Sequence, residues 1–315
     1  MEMVLIISRQ ILVMFIYMFI GYILFRRKLI TLEGSRSLAN LLLYVILPCA
    51  ILKSFNMPRS LEKTEVLLVS FVLGLIALVL AMAVSALIFR REPLNNFGAA
   101  FSNAGFMGIP LIEAAMGTEA VFYCASMIAL LNVLQWTYGQ AVISGKGQGH
   151  TCRNIVKNPL LISLLAGVVI YFLQIPVPSV VSSSINSISM MNAPAAMIIL
   201  GVYLAQVRFS DIFTDVKLYL VSGVRLLLIP ILTVIPLSLF YHRYHDICLA
   251  LVIAASAPVG ANVAVYAQKL EKNYTYAVKM VCLSTIISIV TLPVLVLAAE
   301  QIWKKPTFIF MVGEY

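Results

Sequence analysis

Charge is what this chain has least of: Asp, Glu, Lys and Arg make up only 11% of its 315 residues, against 62% hydrophobic, and the mean hydropathy is +1.00. A soluble domain carries about a quarter of its residues as charges, so that class is excluded. Acids are the scarcer sign, thirteen against twenty-two Lys and Arg. None lies near the middle of an apolar stretch, and Glu113, toward the outer end of the fourth, is the deepest. Proton- and sodium-driven carriers usually keep a membrane carboxylate as the coupling group, so coupling through one is not expected. The five cysteines, Cys49, Cys124, Cys152, Cys248 and Cys282, have no paired spacing, and four fall inside apolar stretches, which points to neither a disulfide framework nor a metal site. No nucleotide-binding glycine loop, catalytic triad or zinc motif is present, which argues against an ATP-driven pump and against an enzyme; no cofactor is expected. The net charge of +9 comes without any long basic stretch interleaved with aromatics, so no nucleic-acid partner is implied.

What the chain has is runs of apolar residues near the roughly 20 needed to cross a bilayer as helix. Ten are legible: 4–25, 36–55, 66–89, 95–116, 120–143, 158–174, 182–206, 217–241, 247–268 and 275–299. The fold class is therefore an all-α polytopic membrane protein, with the lipid bilayer as its solvent. The first run is read as a retained helix and not a signal peptide, because its basic cluster Arg26-Arg27-Lys28 follows the apolar core. Placing the N-terminus outside puts fourteen basic residues on the cytoplasmic side, seven on the other, and Arg225 alone within a span. Positive residues gather inside, so both termini are expected on the non-cytoplasmic face of the plasma membrane.

A polar stretch after the fifth run divides the ten into residues 1–143, a cytoplasmic connecting loop 144–157, and residues 158–315. An odd number of crossings per half inverts the second half, the arrangement of an inverted repeat. Asn40 precedes Pro48 by eight residues in the second run, and Asn186 precedes Pro194 by the same interval in the seventh. The fourth and ninth runs are each interrupted, by Ser102-Asn103-Ala104-Gly105-Phe106-Met107-Gly108-Ile109-Pro110-Leu111 and by Ala255-Ser256-Ala257-Pro258-Val259-Gly260-Ala261-Asn262. Unwound backbone in hydrocarbon costs several kcal/mol per unpaired group, so such breaks persist only where protein or a wet cavity satisfies them. Paired breaks in matching halves point to a binding site. A restarting half-helix offers N–H groups and the positive end of its dipole to an anion.

Pro110 suits the first position of a restarting half-helix, and Gly105, Gly108 and Gly260 allow strained φ values and close approach of a ligand. Asn103 and Asn262 are the side chains expected to touch substrate, since an amide binds carboxylate oxygens without a buried net charge; each could instead satisfy its own break. Arg225 is either a counter-charge to an anion or an interfacial residue with a snorkelling stem. Asn132, Gln135, Trp136 and Tyr138 form a polar, aromatic patch in the fifth run. The candidate binding set is Asn103, Gly108, Pro110, Pro258, Gly260, Asn262, Gln135 and Arg225.

These motifs resemble the auxin efflux carrier family of membrane transporters, which includes plant auxin carriers and bacterial permeases described as malate or malonate transporters. The likeness is carried by Asn40 with Leu47-Pro48, by Ser102-Asn103 through Leu111, by Asn158-Pro159-Leu160 with Gly167, by Arg225 through Pro230, and by Pro258 through Asn262. It covers essentially the whole chain. The resemblance implies ten helices in two inverted five-helix repeats, similar to the bile acid symporter and sodium/proton antiporter fold. It further implies that the fourth and ninth helices cross at their breaks, and that a homodimer forms through the first, second, sixth and seventh. The expected function is secondary transport of a small organic anion, such as malate, malonate or an auxin-like acid, by alternating access; an anion channel or a membrane sensor using the same polar pocket is the alternative.

Overall fold

The computed structural model describes residues 2–145 and 159–304. The connecting loop beyond Gly145, with Lys146, Arg153 and Lys157, lies outside the described residues, as does Asn158. In order, the helices of eight or more residues are α1 (Glu2–Arg26), α2 (Leu32–Phe55), α3 (Leu61–Ile88), α4 (Pro93–Ala100), α5 (Ala104–Met116), α6 (Thr118–Ser144) and α7 (Pro159–Leu173). They continue with α8 (Ser179–Ala205), α9 (Val216–Ser238), α10 (His245–Ser256), α11 (Asn262–Lys269) and α12 (Tyr274–Lys304). All ten apolar runs thus hold helix, the only conformation that satisfies a lipid-facing backbone within one segment. Among the described residues, seven helices are long and apolar enough to cross a membrane; α5, α7 and α10 are shorter, α5 and α10 because the fourth and ninth runs are broken.

Polar side chains fix several helix starts. Thr31 Oγ1 accepts from Gly34 N at 3.0 Å, Ser60 Oγ from Lys63 N at 3.0 Å and Asp215 Oδ1 from Lys217 N at 2.9 Å, each satisfying an amide the first turn leaves orphaned. α5 and α6 are separated by Gly117, whose φ of +90° a side chain would resist.

Three helices share a device that the sequence announces. α2, α5 and α9 each widen into a five-residue π-turn, at Leu42–Ile46, Ala104–Gly108 and Val224–Leu228, and each π-turn is followed by Leu47-Pro48, Ile109-Pro110 or Ile229-Pro230. Proline has no N–H for the i−4 carbonyl and its ring crowds that oxygen, so the turn before it opens. α6 has a fourth π-turn, Gln135–Gly139, with no proline.

α10 is the molecule's centre: every residue from Ile247 to Ser256 is buried. α1 packs against α8 at van der Waals closeness through glycine, since a Cβ on Gly21 would collide with the Ile198 carbonyl and one on Gly201 with that of Met18. Small residues allow such backbone approach where lipid offers no hydrophobic drive between helices.

A candidate anion site at two paired helix breaks

α4 ends at Ala100, the chain is extended at Phe101 (φ −112°, ψ 114°), and helix resumes at Ala104. α10 ends at Ser256, Ala257 is extended (φ −61°, ψ 148°), and helix resumes at Asn262. The two unwound segments lie against one another. Ser102 and Val259 form an antiparallel bridge, with Asn103 N donating to Pro258 O at 2.7 Å and Gly260 N to Phe101 O at 3.0 Å. Val259 N donates to Ser284 Oγ of α12 at 3.1 Å. Each break therefore satisfies backbone groups of the other without water.

Two details differ from the sequence reading. The first break lies at Phe101–Asn103, ahead of Gly108 and Pro110, which sit inside α5; Pro110 follows the π-turn and does not open the half-helix. Among the described glycines only Gly117 and Gly145 have positive φ, so Gly105, Gly108 and Gly260 hold no left-handed backbone. Gly260 is required by proximity: a Cβ there would stand 3.2 Å from both Phe101 O and Ser102 O and 3.5 Å from Gln135 Nε2. At Gly108 a Cβ would meet only ordinary contacts, 3.5 Å from Ala104 and Ala254.

Arg225, within the α9 π-turn, is 2% exposed. Its Nη1 donates to Ala99 O at 3.0 Å and Ala100 O at 3.2 Å, and its Nη2 donates to Ala255 O. The guanidinium thus binds the C-terminal carbonyls of both helices that stop at the breaks. Its observed partners are backbone oxygens, and it lines neither of the two cavities beside α11 described below.

The amide side chains divide into paired and unpaired. Asn262 Nδ2 donates to Gln135 Oε1 at 2.7 Å, joining the start of α11 to the π-turn of α6. Asn103 is 4% exposed, and its Nδ2 has no partner. A buried donor left unmade costs about 1–3 kcal/mol, which marks Asn103 as a group awaiting an acceptor. Asn192, in α8, donates to Gly105 O at 3.1 Å and keeps an unpartnered Oδ1. The sequence reading had singled out Asn186 in this helix; Asn192, two residues before Pro194, is the amide that reaches the break. Ser284 was likewise missed, because one serine among several in α12 carries no signal.

Beside Asn262 lies a cavity of about 220 Å³ lined also by Asn40, Asn132, Trp136 and Lys269. It adjoins a second of about 350 Å³ through shared Asn40, Leu43, Val265 and Lys269. The charged groups among the described lining residues of both are Arg36 and Lys269, and no acid is among them. Lys269 Nζ stands 5.9 Å from the Trp136 ring centre, within cation–π range. Of the fifth-run patch, Asn132 and Trp136 line this space, whereas Tyr138 donates to Asn96 Oδ1 at 3.4 Å. At the opposite end of α2 a cavity of about 280 Å³ holds both signs, Lys53 and Glu119, and Lys53 pairs with Glu113 at 3.0 Å.

The family described as "Membrane transport protein" matches residues 6–296. A Rhizobium meliloti protein named "Putative malonate transporter" is 26% identical over 289 residues, covering 87% of this chain and 89% of its own. An uncharacterized transporter of Methanothermobacter thermautotrophicus is 25% identical over 297 residues, 91% of this chain and 96% of its own. One from Methanocaldococcus jannaschii is 24% identical over 210 residues, 62% and 68%. With its helices, its breaks and this match in view, the chain is an all-helical, multi-pass protein that belongs to the membrane transport protein family of the auxin efflux carriers.

Proposed function

We propose that this protein is a secondary transporter of small organic anions, carboxylates of the malonate class, and that the paired breaks are its binding site. The observation that carries the reading is the cavity beside Asn262 with the one adjoining it, whose described linings together offer amides, aromatic rings and two cations but no carboxylate. Arg36 and Lys269 raise the local concentration of an anion. Asn262 and Gln135 can exchange their mutual hydrogen bond for one to a carboxylate oxygen, and Asn103 supplies a donor with nothing else to bind. The name of the Rhizobium relative supports malonate as the first compound to test.

On this reading the fourth and ninth runs cross the bilayer as broken helices, giving ten crossings in two inverted halves, 1–143 and 158–315, with both termini outside the plasma membrane. The cavity lined by Arg36 and Lys269 then opens to the cytoplasm. α4–α5 and α10–α11 move together against α1, α2, α7 and α8, the helices through which a homodimer forms. A monoanion leaving a cell at 100 mV, inside negative, gains about 2.3 kcal/mol, enough for roughly fiftyfold export without a coupled ion. The test is uptake of radiolabelled malonate into proteoliposomes. Saturable uptake stimulated by internal malonate is expected of a carrier; single-channel currents without counterflow would replace this reading with an anion channel.

A further inference from the structure

We propose that Arg225 is a built-in cation occupying the carbonyl cluster where a carrier with broken helices could otherwise hold a coupling sodium ion, and that it thereby frees anion transport from any co-transported cation. The proposal rests on the anion-transport reading and concerns a residue placed behind the breaks, one that positions them without touching substrate.

Its acceptors carry the inference. The last carbonyls of a helix lack intrahelical donors and carry roughly half a negative charge, and in discontinuous-helix transporters such carbonyl ends coordinate sodium. Here those oxygens are Ala99 and Ala100 at the end of α4 and Ala255 at the end of α10, and all three accept from one guanidinium. Two helix ends of about half a charge each match the single positive charge that bridges them. None of the ion pairs among the described residues involves Arg225, so these carbonyls are its counter-charge. At 2% exposure it leaves no room for a hydrated ion, and a second cation on the same oxygens would meet like charge in a dry environment. The planar fork reaches two chain segments at once, which an ammonium cannot reproduce. One side chain thus fixes both breaks relative to each other and supplies the charge that an imported ion supplies elsewhere.

The full-length protein is assayed for radiolabelled malonate uptake in proteoliposomes, and for thermal unfolding in detergent, in the chloride salts of sodium, potassium and N-methylglucamine. The wild type is expected to take up malonate equally, within twofold, in all three salts, with Tm unmoved by sodium. Arg225→Gly should cut uptake more than tenfold and lower Tm. Millimolar guanidinium, but not urea, should restore at least half of both. A wild-type uptake that falls more than tenfold without sodium would overturn the proposal, as would a saturable rise of Tm with sodium or undiminished uptake by Arg225→Gly. Should the glycine variant not fold, Arg225→Lys decides: reduced, sodium-independent uptake is expected, and sodium-stimulated uptake would overturn it. No malonate uptake by the wild type in any salt would count against the transport reading alone, and the unfolding arm would still decide the role of Arg225.

Discussion

At the scale of single residues, the glycines of the two breaks separate by what surrounds them. A methyl on Gly260 presses on two carbonyls at 3.2 Å, whereas one on Gly108 meets ordinary contacts. Gly260→Ala is therefore expected to lower Tm and cut malonate uptake at least tenfold. Gly108→Ala, in a helix interior where Ala is favoured over Gly by about 0.8–1.0 kcal/mol, should leave Tm unchanged or slightly raised. Thermal unfolding of the two variants side by side checks the contrast, and equal losses would refute it. Asn262→Ala leaves Gln135 Oε1 without its donor, so the single variants Asn262→Ala and Gln135→Ala and their double should be non-additive, with a coupling of about 0.5–3 kcal/mol. What could be read in advance at this scale was chemistry without partners. Arg225 stood out as the one strong charge well inside an apolar run, but its acceptors are carbonyls of alanines, which leave no trace in a side-chain pattern. Gln135 and Asn262 were both legible as polar groups in apolar stretches; that they meet across 127 residues was not.

At the scale of elements, the loudest sequence signals misplaced one boundary. Gly108 and Pro110 suggested where the fourth run breaks, yet the chain unwinds at Phe101–Asn103, which holds no helix breaker. The reason is tertiary: bonds to Pro258 O and from Gly260 N stabilise the unwound form there, while Pro110 is absorbed by opening a π-turn. The same device in α9 sets the rotation of Arg225 relative to Pro230. Pro230→Ala restores the missing donor and relaxes the turn, so it is expected to hold or raise Tm while reducing malonate uptake several-fold; unchanged uptake would show that the π-turn does not position Arg225. At the far end, Lys53 of α2 and Glu113 of α5 form a part-buried pair, a contact worth about 0.2–1 kcal/mol. Lys53→Glu and Glu113→Lys should each alter uptake, and the double reversal should recover most of it. Failure of the double variant to recover would mean the two residues act separately.

For the whole molecule, composition alone disclosed the class, because an 11% charged, 62% hydrophobic chain has no soluble solution. The ten apolar runs and the interruption of two of them were likewise legible, since lipid forces each run into helix and makes every departure conspicuous. The cavity was not: Arg36 opens the second run and Lys269 follows the ninth, and only folding brings them to one space with Asn40 and Asn262. That space joins two cations to Asn262, where helix resumes after the second break, and the account's central claim is that carboxylates bind there. Equilibrium binding of malonate to the purified protein, compared with Asn103→Ala and Asn262→Ala variants that retain a wild-type elution profile, tests it most directly. Affinity at least tenfold weaker in each variant is the expected result, and undiminished binding in both would contradict the claim.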